Sequence, residues 1–127
     1  MSTPQPRAII DAYLDALSAH DYENARTYLA ETGFCYQSPI SNFSNPDDFM
    51  QHWSLSAGIV QRIETLKVFV DGGDLCHFLR FVVQLSERES VKVAQWSRVV
   101  DGRIQSLELV FDAYLYRRMF DLPGVHP

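Results

Sequence analysis

Apolar positions recur at helical spacing along the first third of the chain and at strand spacing along the second half. Ile9, Ile10, Tyr13, Leu14 and Leu17 share one side of a 3.6-residue period. Thr3 before Pro4 supplies a cap and a proline suited to a first turn, so the pattern predicts an amphipathic helix. Asp21 is placed to cap a second, shorter helix with Ala25, Tyr28 and Leu29 on its apolar side and Gly33 at its end. Phe34-Cys35-Tyr36-Gln37 reads as a short strand broken at Ser38-Pro39, and residues 38–45 as a loop. Asn45-Pro46-Asp47-Asp48 is the clearest helix start: a capping side chain, proline at the first position and two carboxylates at the positive end of the dipole. The helix it opens carries Phe49, Met50 and Trp53, with Gly58 placed to close it.

The period then becomes two. Turn signals at Asp71-Gly72-Gly73-Asp74, Ser86-Glu87-Arg88-Glu89-Ser90 and Asp101-Gly102 divide the remainder into strands over 62–70, 75–85, 91–100 and 103–116. Helices followed by an antiparallel meander make an α+β domain. In the second of these strands Leu75, His77, Leu79, Phe81, Val83 and Leu85 face one side, and Cys76, Phe78, Arg80, Val82 and Gln84 the other. Helices can cover only one of two largely apolar faces, so the other is expected to pack against a second copy in a homodimer.

Composition narrows the class. A chain of 127 residues with 46% hydrophobic and 21% charged residues is expected to form one domain over 1–127, and collagen-like or disordered readings fall away. The net charge of −5 gives no basic footprint for nucleic acid or an anionic membrane. The beginning of the chain has no basic flank or apolar core of a secretory signal, and no run reaches the ~18 apolar residues of a membrane span, so a cytoplasmic location is expected. Cys35 and Cys76 each lie in an apolar run, which fits buried free thiols in a reducing compartment rather than a disulfide framework. The histidines, His20, His52, His77 and His126, do not combine with Cys, Asp or Glu at zinc-site spacing, and there is no glycine-rich phosphate loop, so neither metal nor cofactor is expected.

Ala12-Tyr13-Leu14-Asp15-Ala16-Leu17, the His20-Asp21 break, Asn45-Pro46-Asp47-Asp48-Phe49 and Asp101-Gly102-Arg103-Ile104 through Val110-Phe111-Asp112 stand in an order that resembles the NTF2-like superfamily, in its SnoaL-like and ketosteroid-isomerase-like branch. The resemblance spans nearly the whole chain. It implies a cone: three N-terminal helices packed on a strongly bent antiparallel sheet, with an apolar pocket at the wide end. Isomerases, cyclases, dehydratases, epoxide hydrolases and non-catalytic binders all use such a pocket, so the fold leaves function open.

Asp112 lies among Leu109, Val110, Phe111, Tyr114 and Leu115, where a carboxylate is costly and one held in a pocket is shifted toward acid/base work. By resemblance it matches the aspartate that serves as acid, base or water activator in cyclase-like and epoxide-hydrolase-like members; the other reading is a strand-end residue that caps backbone or pairs with Arg80, Arg98 or Arg117. Tyr13 matches an oxyanion-hole tyrosine, or is a core tyrosine. Ser38-Pro39 stands where ketosteroid isomerases carry their general-base aspartate, and Gln95 or Trp96 where they carry a second acid, so steroid isomerisation of that kind is not expected. Arg80 needs an anion in its apolar strand, and Asp112 is the expected partner, as a catalytic pair or as structural glue. The position two residues on, an aspartate in epoxide-hydrolase-like members, is Val82. Tyr36, Ser38, Trp53, His77, Trp96 and Tyr114 complete the candidate pocket, and His77 or His52 is placed to carry a proton near neutral pH. The expected ligand is a small apolar or aromatic molecule, bound for acid/base isomerisation, cyclisation or dehydration, or bound without turnover.

Overall fold

The structure is a computed structural model of the chain and describes residues 5–55, 59–84 and 87–114. Helix α1 (Pro6–Ser18) opens two residues later than the pattern predicts. Gln5 is its extended N-cap residue and Pro6 takes the first-turn position; Thr3 and Pro4 lie outside the described residues. The helix buries Ile9, Ile10, Tyr13, Leu14, Ala16 and Leu17, the apolar stripe read from the sequence plus one alanine. His20 follows in the left-handed region at φ 60°, so that the His20 and Asp21 amides bond back to Leu17 and Ala16, and its Nε2 lies 2.9 Å from the Val60 carbonyl oxygen. Helix α2 (Tyr22–Arg26) is capped by Asp21 as expected, Oδ1 accepting the Asn24 amide at 3.2 Å, but stops before Leu29. Leu29 instead bridges in parallel to Ile104, because there it reaches the core that a longer helix would deny it.

Strands β1 (Cys35–Gln37) and β2 (Asn42–Phe43) form a small hairpin within the stretch expected to begin a loop, and Ser38 binds the Ser41 hydroxyl and backbone across its turn. Helix α3 (Pro46–Leu55) starts as expected: Asn45 Oδ1 accepts the amides of Asp47 at 2.8 Å and Asp48 at 3.2 Å. Gly58 lies outside the described residues. Four long strands follow, β3 (Val60–Asp71), β4 (Asp74–Gln84), β5 (Arg88–Val100) and β6 (Arg103–Val110). The last is shorter than the 103–116 read from the pattern, because at Asp112 the chain turns into the start of a helix at Ala113 and Tyr114.

The sheet runs β2-β1-β6-β5-β4-β3. It is antiparallel except where β1 lies parallel to β6, with Tyr36 opposite Leu107. Register breaks at Val60/Arg62 and Thr65/Lys67 in β3 and at Arg98/Val99 in β5 bend the sheet around the helices. One face meets α1 and α3 through Leu75, Leu79, Val93, Ile104, Leu107 and Leu109; the other carries Phe69, Phe78, Trp96 and Val110, all exposed. The predicted α+β cone, helices on one face of a curved open sheet, is what the chain forms.

Candidate functional site

An aromatic wall stands between α3 and the β1–β2 hairpin. Tyr36 lies 4.3 Å from Phe49, ring centre to ring centre, and Phe43 lies 5.8 Å from Phe49 and 5.2 Å from the imidazole of His52. Farther along α3, Trp53 meets Phe81 of β4 at 5.8 Å. Between this wall and the concave sheet is a cavity of about 100 Å³, lined by Tyr36, Ile40, His52, Trp53, Val60, Phe81, Val83, Val91, Val93, Leu109, Phe111 and Asp112. Asp112 is the one exposed residue in that set, which places it at the mouth, while Tyr36, Trp53, Val83, Val93 and Leu109 are buried.

The polar groups on this cavity are few. Asp112 Oδ1 accepts the Tyr114 amide at 2.9 Å, so the strand-end capping role is present together with a place on the cavity. His52 is half-buried, and burial lowers its imidazole below the usual histidine range, so the ring is neutral at pH 7. Tyr36 contributes its phenol from β1. A carboxylate that only accepts protons and an imidazole that both accepts and donates therefore converge on one apolar space, an arrangement capable of orienting a polar group on a ligand or moving a proton on it.

Of the residues the sequence proposed, Asp112, Tyr36, His52 and Trp53 line the cavity. Tyr13 does not; it is buried under α1, and burial, followed by the neighbouring Tyr36, pushes its phenol well above the usual tyrosine range, which keeps it a protonated donor. The expected Arg80–Asp112 pair is not formed. Arg80 points from the outer face, half-exposed, toward Glu64 of β3 at 3.5 Å, because the alternation of β4 turns it away from the cavity. His77 lies on the inner face but away from the cavity: it is fully buried, and its Nε2 donates to Asp11 Oδ1 of α1 at 3.1 Å.

Trp96 is on the outer face, its indole donating to Asp74 Oδ1 at 2.9 Å, and Ser38 is absorbed in the hairpin turn. Tyr114 is exposed beyond the end of β6 and does not line the cavity. Sequence reasoning left out Val60, Val83, Val91, Val93 and Leu109. Their inward parity on the strands was the available signal, and pairing across the sheet was needed to gather them.

No protein-family model matches the sequence, and no curated protein matches it. Solved structures do. An NTF2-like protein of unknown function from Cytophaga hutchinsonii superposes with a TM-score of 0.78 at 18% identity, over 92% of this chain and 99% of that one. The chain has the NTF2-like fold. An LEH-like epoxide hydrolase from M. tuberculosis shares this NTF2-like architecture with a TM-score of 0.75 at 19% identity, over 88% of this chain and 86% of that one. So does a de novo designed protein with a curved β-sheet, at 0.76 and 19%, over 94% of each. An enzyme and a designed scaffold bracket the uses of one NTF2-like frame, so what this chain does rests on its own cavity.

Proposed function

We propose that the protein binds a small apolar or aromatic molecule in the cavity between α3 and the concave sheet. The observation that carries this reading is the lining itself: aromatic and branched aliphatic side chains around an open space, with His52, Asp112 and the Tyr36 phenol as its polar groups. The test is calorimetric titration with small ring compounds on the native chain and on Val93→Trp, which fills the space from its sheet side. Binding that is present in the first and lost in the folded second supports the reading; no binding to either sinks it.

The convergence of His52 and Asp112 favours a second reading, cofactor-independent isomerisation, cyclisation or dehydration with Asp112 as the proton acceptor and His52 as the second carrier. Asp112→Asn keeps an oxygen to cap Tyr114 and removes the base. Turnover of a bound ring compound should then vanish while binding persists; unchanged turnover would discard the role of Asp112.

The exposed outer face is proposed to seat a second copy of the chain. It offers protruding rings, Phe69, Phe78 and Trp96, beside two hollows, one lined by Leu66, Phe78 and Val110 and the other by Phe69, Val70 and Trp96, so one face supplies both knobs and holes. Sedimentation at micromolar concentration should show a dimer that Phe78→Glu dissociates; a monomer in the unaltered chain would refute it.

A further inference from the structure

We propose that the cavity selects neutral single-ring molecules bearing one hydrogen-bond donor, such as a hydroxyl, and turns away carboxylates; this rests on the binding reading above. Size is the first argument. At about 100 Å³ the space is below the ~150 Å³ of an engineered protein cavity known to take up benzene, so the walls enclose at most about one six-membered ring, and a fused pair would have to leave its second ring outside.

Charge is the second. Among the described residues the lining holds no lysine or arginine, and Arg80, which might have offered a cation, faces outward toward Glu64. An anionic ligand would give up its hydration in an apolar space with the Asp112 carboxylate at its mouth and no opposite charge on the lining. The third argument is donor–acceptor sense. Asp112 only accepts, and among the described residues the Tyr114 amide at Oδ1 fills only part of its acceptor capacity. A ligand hydroxyl matches that need, whereas a ligand carbonyl or carboxylate does not. His52 adds a neutral ring to the same lining, while aromatic and aliphatic walls take the rest of the ligand. Val83, Val91 and Val93 of the sheet line the same space and give the ring apolar contact.

Toluene, phenol, benzoate and 2-naphthol, each titrated calorimetrically at pH 7.5 into the unaltered chain and into Asp112→Asn, separate the alternatives. Phenol is expected to bind about ten-fold or more tighter than toluene, the effect of a hydrogen bond to a charged acceptor, with benzoate and 2-naphthol weaker than both. In Asp112→Asn the phenol preference should shrink and benzoate should gain. Benzoate or 2-naphthol equal to phenol, or a phenol preference untouched by the substitution, overturns the selectivity while leaving the binding site standing. Failure of all four probes, toluene included, overturns the binding reading itself.

Discussion

Replacing His77 by leucine should stabilise the protein, although it removes a buried hydrogen bond. The imidazole is fully buried, and because a carboxylate can only accept, the proton shared with Asp11 sits on Nε2. That leaves Nδ1 a bare acceptor with no partner among the described residues. An unsatisfied buried polar atom costs about 1–3 kcal/mol. Against its removal stands the loss of the bond to Asp11, but that carboxylate is 41% exposed and 3.4 Å from Arg7, so it rehydrates at little cost, about 1 kcal/mol at most. Leucine fills a similar volume among Leu75, Leu79 and the α1 side chains. The net gain is on the order of 1 kcal/mol, or roughly 3–5 °C in melting temperature for a domain of this size.

The pH dependence should change with it. Burial holds the His77 imidazole below 6.5, outweighing the opposite pull of Asp11, so the unfolded chain takes up this proton before the folded one does. Stability from this group is complete above pH 6.5 and is lost as pH falls from there through the folded-state value. The advantage of His77→Leu should therefore widen between pH 7.5 and 5 in melting curves followed by circular dichroism. His52, also held below 6.5 by burial, supplies a slope of the same sign that the variant retains. A variant less stable than the unaltered chain at pH 7.5, or a gap that stays constant down to pH 5, would refute the reasoning.

Four further outcomes are expected. A Cβ at Gly73 would stand 2.7 Å from the Val99 carbonyl oxygen, backbone that is tied to Gly73 by its own hydrogen bond, so Gly73→Ala should lower stability by about 1–3 kcal/mol in chemical denaturation. Gly72→Ala meets open space and should cost only the ~1–2 kcal/mol of a left-handed alanine. Asn45→Ala removes the acceptor of two α3 amides and should cost ~1 kcal/mol in the same assay, with Asn45→Asp restoring it. Arg80→Ala should change stability by less than about 0.5 kcal/mol and leave ligand titrations untouched, as its exposed pairing with Glu64 implies; loss of ligand binding would restore it to the site.

The elements were legible where the signal was local. The Asn45-Pro46 cap, the Asp101-Gly102 turn with positive φ at both residues and the α1 stripe each predict their element, and each element forms. What failed was pairing across distance. Alternation along β4 already put Arg80 with Cys76 and Phe78, opposite His77, and a bond to Asp112 would have needed the reverse. Trp96 is fixed outward by the same logic once His77 is known to face Gln95, but that register is a property of two strands, not of one. Asp11 and His77 are 66 residues apart, and nothing near either announces the other. Tyr114 was misplaced because apolar alternation runs on past the point where Asp112 caps a new turn and ends the strand.

Among the described residues strand β3, twelve residues long, is an edge of the sheet; Ser18 and His20 bind the Ile63 amide and the Val60 carbonyl near its start, and the outer backbone groups farther along would otherwise be open to an extended chain. Its two register breaks spoil the even spacing that a new strand would need, and Arg62, Glu64 and Lys67 set charges along the same stretch. The bends that shape the cavity thus also guard the sheet from growing sideways. Strand-by-strand addition, the route to fibrils, is thereby disfavoured along this edge.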